Sequence, residues 1–187
     1  MPRRLVVIVA AALGVALVGG AAAAAVGAAG SPRTVPRTTT VSVAVWNDTA
    51  LARYENSFAA LQETDPTLDV EVTVLPRGAR DAQLTADLAA GTAPDVFWLD
   101  AEGVRAHAAH GDLVDLDAAL GAETRSAWSP ELADRFSSDD TLWGVPQRAA
   151  DVALVGNAGT EHPEAVARVL AWTGSVDGQR HLDSPAG

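Results

Sequence analysis

The run Asp95-Val96-Phe97-Trp98-Leu99 constrains this chain more than any other stretch. It is short, almost wholly apolar and bounded by turn signals. Such a run reads as a strand covered on both faces, as in a parallel sheet. Pro94 punctuates the end of a helical segment before it, and a second helical run with Val104, His107 and Ala108 follows. In open α/β sheets, ligands sit beyond the carboxyl ends of the strands. A strand that runs into Asp100-Ala101-Glu102 therefore points carboxylates at a crevice.

The residues around this run supply the rest of the sheet. Val41 to Trp46 alternates β-branched residues and predicts a strand, and Asn47, Asp48 and Thr49 can each cap the helix after it. Leu51, Tyr54, Phe58 and Leu61 recur at helical spacing up to Asp65-Pro66. Asp69 to Leu75 is an alternating strand, Pro76-Arg77-Gly78 turns the chain, and Ala82, Leu84, Leu88 and Ala89 mark a helix closed by Gly91. The β-α-β-α-β order implies right-handed crossovers and a mainly parallel sheet with helices on both faces. Further along, Asp112, Asp115 and Asp117 read as solvated loop acids and a helix cap, and Ser129-Pro130-Glu131 opens a helix. Asp139 to Pro146 reads as a tight turn with a short strand pair, and Asp151 to Val155 as one more strand.

The first thirty residues differ in kind. Arg3 and Arg4 precede an uncharged stretch from Leu5 to Gly30, strongly apolar at first and then rich in Ala and Gly. A positive start, an apolar centre and small residues form the layout of a secretory signal. The stretch is also long enough to span a bilayer as an uncleaved anchor. Residues 31–40, Pro- and Thr-rich, read as an extended tether. The whole chain carries a net charge of −11; because the first thirty residues contribute two arginines and no acid, the remainder carries −13, which argues against nucleic acid, a partner that needs clustered cations. The absence of cysteine excludes disulfides, thiol catalysis, cysteine-ligated zinc and a lipidated N-terminal Cys.

Four motifs in register over residues 41–155 carry a resemblance. They are the strand ending in Trp46-Asn47-Asp48, and the helix followed by Asp65-Pro66-Thr67-Leu68-Asp69-Val70-Glu71-Val72. Leu88 to Trp98 leads to Gly111-Asp112-Leu113-Val114-Asp115-Leu116, and Leu142-Trp143-Gly144-Val145-Pro146 leads to Asp151-Val152-Ala153-Leu154. In these the chain resembles the N-terminal lobe of an extracellular solute-binding protein of an ABC importer, in the carbohydrate-binding, maltose-binding-protein-like group. The resemblance implies an α/β fold of the periplasmic-binding-protein type II kind. A single lobe would span residues 41–156, and a C-terminal helical segment, residues 157–187, would pack on it. In that segment Thr160 to Ala165 reads as the start of a helix through Trp172, and Ser175 to Leu182 as a second. Both resemble segments that lie near the C-terminus of family members, so most of the second lobe is expected to be missing.

Sugar sites pair flat aromatic faces with carboxylates and amides that bond to hydroxyls. Trp46, Asn47 and Asp48 end the first strand, and Trp98, Asp100 and Glu102 end the third, so a parallel sheet brings both sets to one edge. The competing readings are that Asn47 or Asp48 only caps a helix and that Trp46 and Trp98 face the core. The resemblance adds Trp143, Gln147, Arg148 and Asp151 as further ligand contacts. His107 and His110 stand at i and i+3 without a third ligand in sequence, so no metal is expected, and no cofactor is implied.

These readings together imply an exported, non-enzymatic protein that captures a sugar or oligosaccharide for an ABC importer permease, outside the cell or on its surface. Half a cleft would bind weakly or not at all. Two alternatives belong to other classes. One is a secreted glycoside hydrolase with Asp48 paired to Asp100 or Glu102, and the other is a sensor or adaptor anchored in the membrane by its N-terminal helix.

Overall fold

The computed structural model describes residues 38–121, 125–147 and 151–184. The N-terminal stretch expected to direct export, most of the expected tether and Arg148 lie outside the described residues. Strand β1 (Thr39–Val45) starts two residues inside the stretch that reads as tether, because Thr39 and Thr40 already pair with Leu68 and Asp69. The Asn47 side chain accepts a hydrogen bond from the Ala50 amide at 2.8 Å and so caps α1 (Asp48–Thr64). Of the two capping candidates it is Asn47 that takes the role. The buried stripe of α1 is Ala50, Tyr54, Ser57, Phe58 and Leu61, the spacing of one helix face against a sheet.

Strand β2 (Leu68–Val74) runs parallel to β1, and α2 (Arg80–Ala90) follows. Gly91 ends that helix at φ 69°, a left-handed conformation that side chains disfavour. Strand β3 (Val96–Leu99) is buried along its whole length. Val96 and Trp98 enter one core layer with Val43, Phe58 and Leu154, while Phe97 and Leu99 enter the other with Ala44, Leu84 and Val104. This two-sided burial is what the unbroken apolar run demanded.

Helix α3 (Ala101–His110) is capped by Asp100, and α4 (Leu116–Leu120) by Asp115. The other two acids of that loop make bonds the sequence reading did not assign them. Asp112 lies 2.8 Å from the His107 Nδ1, and Asp117 accepts the Leu142 amide at 2.9 Å. After α5 (Pro130–Arg135), a hairpin pairs β4 (Ser137–Ser138) with β5 (Thr141–Leu142). Its turn residues Asp139 and Asp140 both have positive φ, the geometry of a two-residue hairpin turn.

Strands β6 (Gly144–Gln147) and β7 (Val152–Gly156) complete the sheet, whose order is β2-β1-β3-β7-β6. Strand β7 runs antiparallel to both its neighbours, so four of the five strands point one way. The C-terminal helices α6 (Pro163–Gly174) and α7 (Val176–Asp183) follow. They share the core layer of α1, into which α6 places Val166, Val169 and Leu170 and α7 places Leu182. Thr160 does not cap α6. Its hydroxyl donates to Asp95 at 2.6 Å, and Asp95 also accepts from the Ser42 amide and hydroxyl. That carboxylate thereby ties β1, β3 and the entry to α6 at the amino edge of the sheet.

Candidate functional site

The carboxyl ends of β1, β2, β3 and β6 meet at one sheet edge, as the pairings Val45 with Val74, Leu99 with Ala153 and Gln147 with Val152 require. Trp46 stands one residue past the end of β1 and is half-buried. Its ring meets Tyr54 edge-on at 5.8 Å and Trp98 edge-on at 6.5 Å. Beside it lies a crevice lined by Trp46, Arg53, Tyr54, Gln147, Gln179 and Leu182, among others. Its enclosed part is about 30 Å³, room for one or two waters.

The floor of the crevice is a fixed polar pair. Tyr54 is 3 % exposed and Gln147 4 % exposed, and the phenol donates to the Gln147 Oε1. Burial pushes the Tyr54 phenol well above its ordinary value, so it remains a donor. The Gln147 amide donates in turn to the Val145 carbonyl at 2.8 Å. The wall comes from the C-terminal helix. Arg53 reaches the Leu182 carbonyl at 3.4 Å, and Gln179 donates to the Thr173 carbonyl.

Trp98 is not an open stacking face. It is 0 % exposed, its indole N–H is bonded to the Leu75 carbonyl at 2.8 Å, and its ring carries the guanidinium groups of Arg77 and Arg80, each at 4.8 Å. A central strand flanked on both sides leaves the ring no outward direction. Asp100 is likewise engaged, accepting from the Gly103 amide at 2.9 Å and from Arg80 at 2.8 Å. Its burial alone would raise its pKa. The Gly103 amide, the Arg80 bond and the field of Arg77 outweigh that and hold it below the usual carboxylate range. An acid held ionised this way is a poor proton donor for glycoside cleavage.

The remaining candidates separate. Asp48 and Glu102 are exposed at the same edge, each in the first turn of its helix. Trp143 precedes β6, and β6 begins opposite Val155, so this residue enters at the amino edge, across the sheet from Trp46. There its indole donates to the Ser138 carbonyl at 3.3 Å and its ring packs on the layer of Phe136. Trp143 therefore cannot share a cleft with Trp46. Asp151 is exposed and pairs with Arg135. Among the described residues no cluster of His, Asp or Glu has the arrangement of a metal site.

Sequence reasoning missed Arg53, Tyr54, Gln179, Leu182 and Asp183. Tyr54 satisfies the apolar period of α1, so nothing local marks its hydroxyl as part of a site. The residues of α7 reach the crevice across a separation of 129 positions from Arg53.

Comparison with known proteins bears on the family and the fold. Residues 46–159 match the family model of bacterial extracellular solute-binding proteins. No curated protein sequence matches the chain significantly. Among solved structures, UspC of Mycobacterium tuberculosis is 31% identical with a TM-score of 0.53, over 58% of this chain and 26% of that one. The GacH receptor of Streptomyces glaucescens, solved without ligand and with acarbose, is 25% identical with a TM-score of 0.53, over 59% of this chain and 29% of the receptor. The sugar-binding protein MalE from Xanthomonas citri is 25% identical with a TM-score of 0.52, over 58% and 28%. The matched part thus spans little more than a quarter of each of these proteins. The family is one of binding proteins, not enzymes, and a match over more than half of the sequence identifies the chain as a member of the bacterial extracellular solute-binding protein family.

Proposed function

We propose that this protein is exported and captures a small sugar or oligosaccharide at the carboxyl edge of its sheet, for delivery to an ABC-type importer. The observation that carries this reading is the crevice beside Trp46. A half-buried indole stands over the fixed Tyr54–Gln147 floor, with Arg53 and Asp183 on the rim, which gives an apolar face and bonding groups for hydroxyls in one place. The acarbose complex of the GacH receptor and the sugar-binding MalE support a carbohydrate as the solute class. Arg3, Arg4 and the apolar stretch after them support export. No helix among the described residues is long and apolar enough to cross a membrane.

The described residues enclose only a small part of any sugar, so they support weak affinity by themselves. Intrinsic tryptophan emission, titrated with mono- and oligosaccharides, tests the proposal. The expected result is a saturable change with one sugar class that Trp46→Phe greatly reduces. A folded protein that responds to none of them would refute it.

A further inference from the structure

Two cationic side chains at the carboxyl edge of the sheet, Arg77 and Arg53, make no ion pair among the described residues. The turn Pro76-Arg77-Gly78-Ala79 at the carboxyl end of β2 is pinned by hydrogen bonds from the Ala79 and Arg80 amides to the Pro76 carbonyl, both at 3.0 Å. It places both Arg77 and Arg80 against the buried Trp98 ring. Their situations differ. Arg80 is saturated, bonded to Asp81 at 2.7 Å and to Asp100 at 2.8 Å. Arg77 is exposed and makes no ion pair among the described residues.

The second cation is Arg53. It lines the crevice itself, and its guanidinium donates to a neutral carbonyl, that of Leu182, at 3.4 Å. No carboxylate among the described residues pairs with it, although Asp183 stands on the same rim. Trp46 connects the two arginines. It lines the crevice with Arg53, and its ring meets the Trp98 ring on which Arg77 rests.

A guanidinium held on an aromatic face keeps its N–H donors in the ring plane of the fork, where they match a planar oxyanion two bonds at a time. Because Trp98 is fixed by its own bond to Leu75, the Arg77 group loses little freedom on meeting a ligand. The nearest acid, Asp100, is occupied by Arg80 and the Gly103 amide, so it does not compete as a bonded partner. Resting on the sugar-binding reading above, we propose that the solute carries an anionic group, carboxylate or phosphate, that Arg77 and Arg53 recognise beside Trp46.

The full-length protein is titrated by tryptophan emission with glucose, glucuronate and glucose 6-phosphate, and with the matching galactose series, at low and at physiological salt. The expected result is that an acidic form binds at least about tenfold tighter than its neutral parent, with the ratio shrinking as salt rises. Carboxylate and phosphate arms show which anion is preferred. In Arg77→Gln and Arg53→Gln, and most in the double variant, the acidic-to-neutral ratio should fall toward one. Circular dichroism and melting of each variant separate this from loss of fold. Neutral sugars that bind as tightly as their acids, or a ratio untouched by the double variant, would overturn the inference and leave the sugar reading standing. Absence of any response to either form would overturn both.

Discussion

Gly178 is the position where one added methyl group should cost the most. It sits in the first turn of α7, and its amide donates to the Ser175 hydroxyl at 3.0 Å. A Cβ built there would lie 2.0 Å from the Trp172 carbonyl oxygen and 2.9 Å from the carbonyl carbon. The obstacle is backbone, already bonded by the Ser175 amide at 3.0 Å and the Ser175 hydroxyl at 2.7 Å, so it cannot rotate away. The methyl must therefore push α7 off α6. That movement also strains the Ser57 hydroxyl bond to the Gly178 carbonyl and the seat of Leu182 in the α1 layer.

Overpacking in a filled core costs about 1–3 kcal/mol, and a backbone obstacle places Gly178→Ala at the upper end, about 3 kcal/mol or more. For a chain of this size that lowers the melting temperature by roughly 6–12 °C. The control is Gly91→Ala. Nothing lies within 4 Å of a Cβ there, so only the positive φ is penalised, at about 1–2 kcal/mol. Thermal and urea unfolding of both variants make the comparison. A Gly178→Ala protein within about 0.5 kcal/mol of wild type would refute the claim that α7 is locked against α6 by backbone contact.

Two further variants probe the site floor and the amino edge. Tyr54→Phe leaves the buried Gln147 Oε1 without its donor and should destabilise by about 1–3 kcal/mol in urea unfolding. Asp95→Asn should flatten the acid limb of the stability curve. Burial would raise the Asp95 pKa, but the bonds from Thr160 and Ser42 outweigh it and hold the group below its ordinary value. A depressed carboxylate stabilises the fold above the unfolded pKa of about 3.9 and loses that contribution as pH falls through the folded value. Wild type should thus lose stability below about pH 4, and the variant should be weaker at pH 7 with a shallower acid slope. Melting curves from pH 2 to pH 7 would show both.

The alternation of β1 and β2, the helical stripe of α1, Gly91 at the end of α2 and the unbroken apolar β3 were all legible, because each is fixed by neighbours a few positions away. What escaped is what distant partners decide. The direction of β7 depends on where β6 returns the chain, and no local pattern records that an apolar five-residue strand pairs antiparallel. Thr160 reads in sequence as part of the helix start, but its hydroxyl donates to Asp95, 65 positions earlier, and accepts the His162 amide, so it fastens the loop ahead of α6 instead of bonding its first turn.

The same distinction explains the tryptophans. Trp46 and Trp98 end strands of like direction and look equivalent in sequence. Yet β3 is an inner strand between β1 and β7, and Trp98 lies within it. Its ring is therefore covered by the Leu75 carbonyl bond and two arginines. Trp46 lies one residue beyond β1, where the backbone has turned toward the cap of α1, and it keeps part of its surface open. Trp143 precedes its strand instead of following it and so falls on the far edge. Position relative to the strand end, more than residue type, decides which indole can meet a solute, and it leaves Trp46 as the one of these three beside the crevice.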